Sequence, residues 1–512
     1  MGDPRGFLKH RRTEVPERDA RQRLTDFLEI YAEEDQGELR AQGGRCMDCG
    51  VPFCQADAGC PIENLIPEWN DQVHQGRWRD AFERLSRTNN FPEWTGRICP
   101  APCEDACVLG ITSPPVTIKR IEHAIADEAF RQGWIVPNPP STRTGKRVAI
   151  IGSGPAGLTA ADQLNQAGHS VTVFERDDRI GGLLMYGVPN PKLEKGLVEE
   201  RVDVLAEEGI EFVLNTEVGV DVSAEEIHRE FDACLLACGA LQHRDLGLPG
   251  RELEGVHFAM DYLKGVTKSF LDSGFEDGHY IDARGKDVVV IGGGDTGADC
   301  IATAFRQECR SLLNITRRDR EPGQRDERHP WPGPKGTYFL DYAHVEGAEV
   351  LGRDPREYGV LPLEFVDDGD GRLGGVRIER IRWEADSSGQ KQMIRTGDVT
   401  VLDADLVFLA IGFVGHDTPS LLQDLSVPES RGLVPPARSH YHTEVEGVFV
   451  AGDMRRGASL VVWAMAEGRG AAYEIDAWLM GSSDLEAPSS AFVVPPGASW
   501  GREVASRQER AG

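Results

Sequence analysis

The chain has 512 residues, 40% of them apolar, which allows roughly three to four domains with buried cores. Its formal net charge of -28 argues against a nucleic-acid-binding protein, because neutralising phosphates requires a basic face. The longest apolar runs fall far short of the ~18 residues of a membrane helix, and no apolar stretch follows the basic N-terminus. The sequence therefore predicts a cytoplasmic protein with no nucleic-acid or membrane partner.

The first part of the chain, residues 1–144, is predicted to be mainly helical. An amphipathic pattern runs through DQVHQGRWRDAFERLSRTNNF, and the segment ends in the proline-rich linker IVPNPPSTRTGK. Most of the eleven cysteines of the chain also lie here. In a reducing compartment such thiols stay free or bind metal, so a disulfide framework is not expected.

The cysteines follow the pattern C-x2-C-x4-C-x5-C-P and then C-P-A-P-C-E-D-A-C. Iron-sulfur clusters need several thiolates from closely spaced loops, often with a proline after one of them. Structural zinc, the alternative, normally uses two C-x2-C pairs, and this segment has only one. The pattern favours iron-sulfur clusters, and the candidate ligands are Cys46, Cys49, Cys54, Cys60, Cys99, Cys103 and Cys107.

The next segment, RVAIIGSGPAGLTAADQLNQAGHSVTVFERD, reads as strand, glycine turn, helix and strand. Gly152, Gly154 and Gly157 allow a tight turn, approach of a pyrophosphate and close helix packing. The second strand ends in Glu175, where a carboxylate can bind both ribose hydroxyls, and Gly182 follows. This copy is interpreted as an FAD site, with a tight turn that binds nothing as the alternative.

The second copy of this plan, residues 287–318, differs at the end of its second strand, LLNIT. Arg317 and Arg318 stand there instead of an acid. Two guanidiniums attract a 2′-phosphate that a carboxylate would repel, so this site is predicted to favour NADPH over NADH. The neighbouring Asp319 and Glu321 leave a basic surface corner as the alternative. The glycines of this copy are Gly292, Gly294 and Gly297.

Two nucleotide folds in one chain indicate a two-dinucleotide-binding flavoprotein. The later segment VFVAGD would return to the flavin with Gly452 and Asp453. The predicted fold is α/β, with two Rossmann-like dinucleotide-binding domains (FAD and NADPH) preceded by a mainly helical N-terminal iron-sulfur domain. The predicted boundaries are 1–144 for the iron-sulfur domain, 145–265 and 413–482 for the two parts of the FAD domain, 266–412 for the NADPH domain and 483–512 for a flexible tail.

Several longer stretches resemble the small (beta) subunit family of bacterial NADPH-dependent glutamate synthase, from about residue 1 to 480. They are TNNFPEWTGRICPAPCEDACVLGITSPPVTIKRIEHAI, the GSGPAGL and GGGDTGAD loops, HPWPGP and DPREYGVLP. The resemblance implies an electron-input subunit that oxidises NADPH at FAD and passes electrons through 4Fe-4S clusters. It also implies a hetero-oligomer with a large (alpha) subunit, which carries FMN and makes glutamate from glutamine and 2-oxoglutarate.

The cysteine block is also similar to the N-terminal part of dihydropyrimidine dehydrogenase. Two 4Fe-4S clusters need eight ligands. In dihydropyrimidine dehydrogenase a glutamine is the eighth, and the resemblance implies that Glu122, in the matching stretch VTIKRIE, takes its place in this chain. The alternative is that Glu122 is a solvated helix residue, with water or a single smaller cluster in place of the second full one. The resemblance further implies crossed loops, with Cys46, Cys49, Cys54 and Cys107 on one cluster and Cys60, Cys99, Cys103 and Glu122 on the other.

Two other functions stay open at this point. One is the related flavoprotein subunit that couples NADPH to ferredoxin, and the other is a binding or assembly module whose clusters are structural. The chain shows neither an N-terminal glutaminase cysteine nor an eightfold strand-helix repeat for an FMN barrel, so it is expected to supply electrons only. The sequence assigns no catalytic side chain.

Overall fold

The computed structural model describes residue 3, residues 5–386 and residues 390–493. The first part is helical, as predicted, and we call residues 6–131 the helical domain. Its core is built on Trp69 and Trp94, which are both fully buried, and the ring of Phe91 lies 4.2 Å from that of Trp94. The helices are α1 (Gly6–Lys9), α2 (Ala20–Arg23), α3 (Gln36–Gly43), α4 (Ile66–His74), α5 (Trp78–Ser86), α6 (Pro92–Ile98), α7 (Pro102–Asp105) and α8 (Ile118–Arg131).

The FAD-type unit contains a five-stranded parallel sheet. All of its first strand except Arg147 is buried, because helices cover both faces of the sheet. The strands are β1 (Arg147–Ile151), β2 (Ser170–Phe174), β3 (Glu211–Val213), β4 (Ala233–Leu236) and β15 (Val448–Val450), in the order β15-β4-β1-β2-β3. The helices are α9 (Pro155–Gln166), α10 (Leu183–Tyr186), α11 (Lys195–Glu207), α12 (Ala224–Glu230), α16 (Pro419–Asp424), α17 (Asp453–Arg456) and α18 (Val461–Met480).

A second five-stranded parallel sheet follows, and between its strands β9 and β13 the chain adds three antiparallel strands that we call the antiparallel insert. The parallel strands are β6 (Val256–Phe258), β7 (Asp287–Ile291), β8 (Ser311–Thr316), β9 (Arg356–Tyr358) and β13 (Leu406–Leu409), in the order β6-β13-β7-β8-β9. The insert consists of β10 (Val360–Asp367), β11 (Leu373–Ala385) and β12 (Lys391–Asp403). The helices are α13 (Ala259–Ser273), α14 (Asp295–Arg306) and α15 (Tyr342–Leu351).

The chain crosses between the two units along a short antiparallel pair, β5 (Gln242–His243) and β14 (Phe413–Gly415). It leaves the first sheet after β4 and returns to it with β15. Because β6 pairs with β13, the change of sheet lies before Val256 rather than at the predicted residue 265. These sheets confirm the predicted α/β class with two Rossmann-like units.

The N-terminal segment ties the helical domain to the NADPH-type unit through a buried charge network. The Arg23 guanidinium donates to Glu346 at 2.5 Å, and Arg306 donates to the other oxygen of Glu346 at 2.6 Å. All three side chains are almost completely buried. Removing one member would leave an uncompensated buried charge, which is strongly destabilising. The intact network therefore stabilises the contact between the N-terminal segment and the NADPH-type unit.

The described C-terminal residues pack against the rest of the molecule. A 3-10 turn at Ser489–Phe492 places the Ser490 hydroxyl on the carbonyl of Pro61, and the Tyr441 hydroxyl donates to the carbonyl of Ala491 at 2.5 Å. Residues 483–493, which the sequence assigned to a flexible tail, are therefore held in place, and 494–512 lie outside the described residues. Among the helices that the structure describes, none is both long and apolar enough to cross a membrane.

Candidate functional site

The glycine turn after β1 has the geometry that a dinucleotide pyrophosphate requires. Gly152 has a φ of +103°, which favours glycine, and a Cβ on Gly157 would lie 2.1 Å from the Gly152 carbonyl oxygen. Helix α9 begins at Pro155, so its N-terminus faces this turn. Its free amides and helix dipole favour a phosphate at this end.

Glu175 lies beside this turn, at the end of β2. One of its carboxylate oxygens accepts from the Ser153 backbone amide at 3.2 Å and from the Ser153 hydroxyl at 2.5 Å. The other accepts from the Asp177 amide at 2.9 Å. These donors fix the carboxylate next to the glycine turn, where it can accept from ribose hydroxyls.

A cavity of about 520 Å³ opens from this turn and reaches both nucleotide units. It extends to Asp295 and Thr296 at the N-terminus of α14, so it reaches the second nucleotide unit beside its glycine turn. Within the described part of the chain, the predicted NADPH residues do not themselves line it; they are Gly292, Gly294, Gly297, Arg317 and Arg318. The structure thus brings most of the predicted FAD residues to one space. Those that line it are Gly152, Gly154, Glu175, Gly182 and Asp453.

Asp453 belongs to the segment that returns to this cavity. Burial raises the pKa of its carboxyl to about 7, and the Ser459 hydroxyl donates to it at 2.9 Å. The preceding Gly452 is fixed by its amide, which donates to Glu467 at 2.9 Å. A carboxyl that lacks a cationic partner can accept hydrogen bonds from the hydroxyls of a bound ligand.

The second glycine turn, after β7, repeats the first. Gly292 has a φ of +128°, and a Cβ on Gly297 would lie 2.7 Å from the Gly292 carbonyl oxygen. Helix α14 follows directly after Gly294. A Cβ on Gly293 would lie 3.6 Å from the side chain of Thr316, so the end of β8 stands beside this turn.

Arg317 and Arg318 follow Thr316 and are exposed. Neither guanidinium forms an ion pair with another described residue, so both are free to bind an anion. The neighbouring acid, Asp319, pairs with Lys391 at 2.5 Å. The assignment of the two arginines as 2′-phosphate ligands stays a prediction, with a basic surface corner as the alternative.

The first predicted cluster site is a small cavity in the helical domain. Two of its cysteines are half-buried and the other two are buried. Burial raises the pKa of the Cys46 thiol to about 11, so the thiol keeps its proton until a metal displaces it. The cysteines that line this cavity are those the resemblance groups together, Cys46, Cys49, Cys54 and Cys107.

The second predicted group is more deeply buried. Burial, and then the nearby Glu122 carboxylate, raise the pKa of the Cys99 thiol to about 12. Burial also raises the pKa of the Cys60 and Cys103 thiols. The charges of Glu122 and Cys99 raise both pKa values further, and Cys60 adds to the effect on Cys103. The structure therefore places together the four side chains that the resemblance implies, Cys60, Cys99, Cys103 and Glu122.

Glu122 is not a solvated helix residue, since it is only 7% exposed. Its carboxylate accepts from the Thr95 hydroxyl at 2.5 Å and from the Asn89 and Asn64 side-chain amides at 3.3 Å each. Burial raises the pKa of this carboxyl to about 7. Three donors thus fix the position of a buried carboxylate that adds to the effect of burial in raising the pKa of the nearby Cys60 and Cys99 thiols.

In the described part of the chain, no three His, Cys, Asp or Glu side chains converge as the ligands of a single metal ion would. A 4Fe-4S cluster does not need that convergence, because each of its four ligands binds a different iron atom. The two groups of side chains fit such clusters in number and ligand type. Their assignment as ligands stays a prediction.

Comparisons with known proteins agree with this geometry. The family model "dihydropyrimidine dehydrogenase domain II, 4Fe-4S cluster" matches residues 23–134, and "pyridine nucleotide-disulphide oxidoreductase" matches 146–326 and 375–468. The glutamate synthase [NADPH] small chain of Bacillus subtilis is 52% identical over 495 residues, which cover 95% of this chain and 100% of that one. This chain belongs to the glutamate synthase small-chain family.

Other similar proteins differ in the nucleotide for which they are named and in the length of their chains. The glutamate synthase [NADPH] small chain of Mycobacterium tuberculosis is 51% identical over 97% of this chain and 100% of its own. The glutamate synthase [NADH] of Schizosaccharomyces pombe is 49% identical over 94% of this chain but only 23% of its own. The solved structure of Mycobacterium tuberculosis FprA in complex with NADPH has a TM-score of 0.52 at 20% identity, covering 72% of this chain and 89% of that one, which shows a shared fold. The predicted family is confirmed.

Within this small-chain fold, one loop connects the flavin cavity to a cluster site. Ile98 and Pro100 line the cavity, and Cys99 stands between them. The group containing Cys99 therefore lies next to the cavity. The other group includes the half-buried Cys46 and Cys49 and is nearer to the surface.

Sequence reasoning missed an interdomain ion pair in the cavity wall. The Lys192 ammonium lies 3.3 Å from Asp299 on α14, and the Tyr342 hydroxyl donates to the same oxygen at 2.9 Å. Burial raises the pKa of Asp299 to about 6. Burial by itself would lower the pKa of Lys192, but the carboxylates of Asp299, Asp341 and Asp295 together raise it above its usual value. Lys192 stands in MYGVPNPKLEK, a stretch beside the flavin turn, but its partner is 107 residues away.

Asn70 is a second residue that the sequence did not single out. It is fully buried in the wall of the first cluster cavity, where it approaches the Cys46 thiol and lowers its pKa against the effect of burial. Its amide has no other hydrogen-bond partner among the described residues. A buried donor with no partner fits an N–H···S bond to a cluster ligand.

We expect Asn70→Leu to lower the reduction potential of this cluster by about 20–60 mV. A hydrogen bond to sulfur stabilises the more negative reduced state, and its net contribution is about 0.5–1.5 kcal/mol. An EPR-monitored redox titration measures this shift. The other cluster of the same molecule is the internal control, and equal shifts of both signals would contradict a local role for Asn70.

Proposed function

We propose that the chain is the electron-input subunit of a glutamate synthase. In this reaction NADPH is oxidised at FAD, and electrons pass through two 4Fe-4S clusters to a large subunit that makes glutamate from glutamine and 2-oxoglutarate. The observation that carries the proposal is the cavity itself. It extends from the first glycine turn to the N-terminus of α14 in the second nucleotide unit, and it is bounded by the loop that holds Cys99.

The predicted enzyme class, an NADPH-dependent flavin and iron-sulfur oxidoreductase, agrees with both family models. Its cofactors are FAD, NADPH and 4Fe-4S clusters, and the number of clusters is part of the proposal. When bound, FAD accepts a hydride from NADPH and releases electrons singly, as iron-sulfur clusters require.

The chain's own residues bind and align these groups. The two glycine turns and the N-termini of α9 and α14 bind the pyrophosphates, and Glu175 binds the adenosine ribose of FAD. Lys192 and Asp299 tie the two nucleotide units together at the cavity wall. This interdomain contact aligns the two rings, which must meet for hydride transfer.

The position of each cysteine group suggests the order of electron flow. A cluster held by the group with Cys99 and Glu122 would border the cavity and could take electrons from a flavin bound there. A cluster held by the group with Cys46 and Cys49 would lie nearer to the surface and could pass electrons out of the chain. Such an exit needs an external acceptor.

A large subunit is the acceptor that family membership implies. In the S. pombe relative the matching region makes up only 23% of one longer chain, which supports an association between this unit and a larger one. FMN in that subunit, a hetero-oligomeric state and a cytoplasmic location belong to the proposal. Ferredoxin, the acceptor in the alternative function, is an outcome of the test.

The test is reconstitution under anaerobic conditions. We expect NADPH to bleach the flavin absorbance of the isolated holo-chain, which then reduces artificial acceptors and forms no glutamate. Adding the large subunit should start NADPH-driven glutamate formation from glutamine and 2-oxoglutarate. Glutamate formation by the chain alone would refute the proposal, and rapid reduction of ferredoxin without any response to the large subunit would favour the alternative.

A further inference from the structure

The antiparallel insert contacts the loop that carries the predicted 2′-phosphate ligands. The indole N–H of Trp383, on β11, donates to the carbonyl oxygen of Arg317 at 2.6 Å. The amide of Gly359, just before the insert, donates to the carbonyl oxygen of Arg318 at 3.0 Å. The backbone of both arginines is therefore held from one side by chain that lies outside the dinucleotide fold.

The insert also forms an ion pair with Asp319, the acidic residue that directly follows the two arginines. Asp319 lies 2.5 Å from the Lys391 ammonium, at the start of β12. In the β11–β12 register, Ala385 is opposite Lys391 and Trp383 is opposite Met393, so both contacting side chains come from one end of the hairpin. Without Lys391, an unpaired carboxylate would stand next to the two guanidiniums.

An unpaired Asp319 would weaken phosphate binding in two ways. It would repel a 2′-phosphate directly, and it would compete for the guanidiniums that should bind the phosphate. It would have little effect on a nucleotide that has a 2′-hydroxyl. Discrimination of this kind matters in a family whose members are named for both NADPH and NADH.

We propose that Trp383 and Lys391 are positioning residues for nucleotide selection: Trp383 fixes the backbone of Arg317, and Lys391 removes Asp319 from the 2′-phosphate site. The inference deepens the proposed function and rests on its assignment of NADPH to this site. It predicts that both residues affect recognition of the 2′-phosphate while leaving the rest of the nucleotide site unchanged.

The test compares binding of 2′,5′-ADP and 5′-AMP to the full holo-chain by calorimetry. We expect Trp383→Phe and Lys391→Met each to weaken 2′,5′-ADP binding about 3- to 10-fold and to leave 5′-AMP within about 2-fold. The KM for NADPH should rise in parallel, with kcat and the KM for NADH unchanged. The effect of Lys391→Met should shrink at high salt, because the Lys391 and Asp319 side chains are 46% and 44% exposed.

The double variant Asp319→Asn/Lys391→Met provides the rescue, since it removes both charges. We expect it to bind 2′,5′-ADP within about 2-fold of the wild type. The matched control is Arg382→Met, which breaks an exposed ion pair with Glu384 on the same strand and should change neither ligand. Thermal melting of each variant establishes that it is folded.

Three results would overturn the inference. They are equal weakening of 2′,5′-ADP and 5′-AMP, no effect of either single variant, and failure of the Asp319→Asn change to rescue Lys391→Met. A wild-type chain that binds both ligands equally would instead refute the assignment of NADPH itself. The failure of the inference and the failure of the proposed function are therefore distinguishable.

Discussion

Replacing both Arg317 and Arg318 with serine should raise the KM for NADPH about 100-fold and change the KM for NADH less than about 2-fold. Charge-assisted hydrogen bonds to a phosphate contribute about 1.5–3 kcal/mol each, and every 1.4 kcal/mol lost is a tenfold loss of affinity. NADH has no 2′-phosphate and loses nothing. Steady-state oxidation of each nucleotide with an artificial acceptor measures both constants.

Arg310→Ser is the matched control for this change. Arg310 lies just before β8, at the opposite end of the strand from the nucleotide, and pairs with Asp287 and Asp405. Its loss should leave the ratio of the two KM values unchanged. Equal effects of the double serine variant on NADPH and NADH would mean that the arginines form only a basic surface corner.

The sequence predicts the geometry of the two glycine turns because its determinants are local. The turn at Gly152 and the carboxylate at Glu175 belong to one strand-turn-helix-strand unit, and so do Gly292 and Arg317. Within such a unit, spacing alone sets the geometry. The support of Arg317 by Trp383 could not be predicted in this way, because the two are 66 residues apart and meet only through the antiparallel insert.

The cluster sites show the same difference between determinants that are local in sequence and contacts that form only in the folded chain. Cysteine spacing indicates iron-sulfur chemistry. Whether Cys107 belongs to the same ligand group as Cys46, however, depends on how the helices between them fold back on each other. The resemblance to known families supplied that grouping, and the structure places the side chains accordingly. Asn70 carries no sequence signal of its own, because a buried asparagine in an amphipathic helix looks like any other polar position.

Glu122→Ala should remove about half of the iron and one of the two EPR signals of the reduced chain. The substitution deletes the only predicted cluster ligand that is not a cysteine. It also removes the acceptor of the Asn64 amide, at a cost of about 1–3 kcal/mol for an unsatisfied buried group. The Asn89 amide still donates to the Thr95 hydroxyl, and the Thr95 hydroxyl still donates to the carbonyl of Phe91. Iron analysis and EPR of the dithionite-reduced protein measure the loss.

Two further variants separate ligation from stability. Glu122→Gln keeps the shape, much of the hydrogen bonding and the residue type that fills this place in dihydropyrimidine dehydrogenase, so it should retain its iron. Glu122→Cys supplies an anionic ligand of the kind that clusters commonly use but not the hydrogen bonding of the carboxylate. Glu128→Ala, on the same helix but away from the cysteines, is the control and should retain all of its iron. If Glu122→Ala kept its full iron content and both EPR signals, the carboxylate would be a structural hydrogen-bond acceptor, and the eighth ligand would have to be sought elsewhere.

Loss of iron in Glu122→Ala with recovery in Glu122→Cys would identify a ligand, because the shorter thiol would not replace the carboxylate as a structural hydrogen-bond acceptor for Asn64, Asn89 and Thr95. The affected signal should also be that of the cluster beside the flavin cavity, since Cys99 lies between two residues that line it. Flavin reduction by NADPH should then proceed normally while transfer of electrons to the large subunit stops. That separation would establish both the ligand and its place in the electron path.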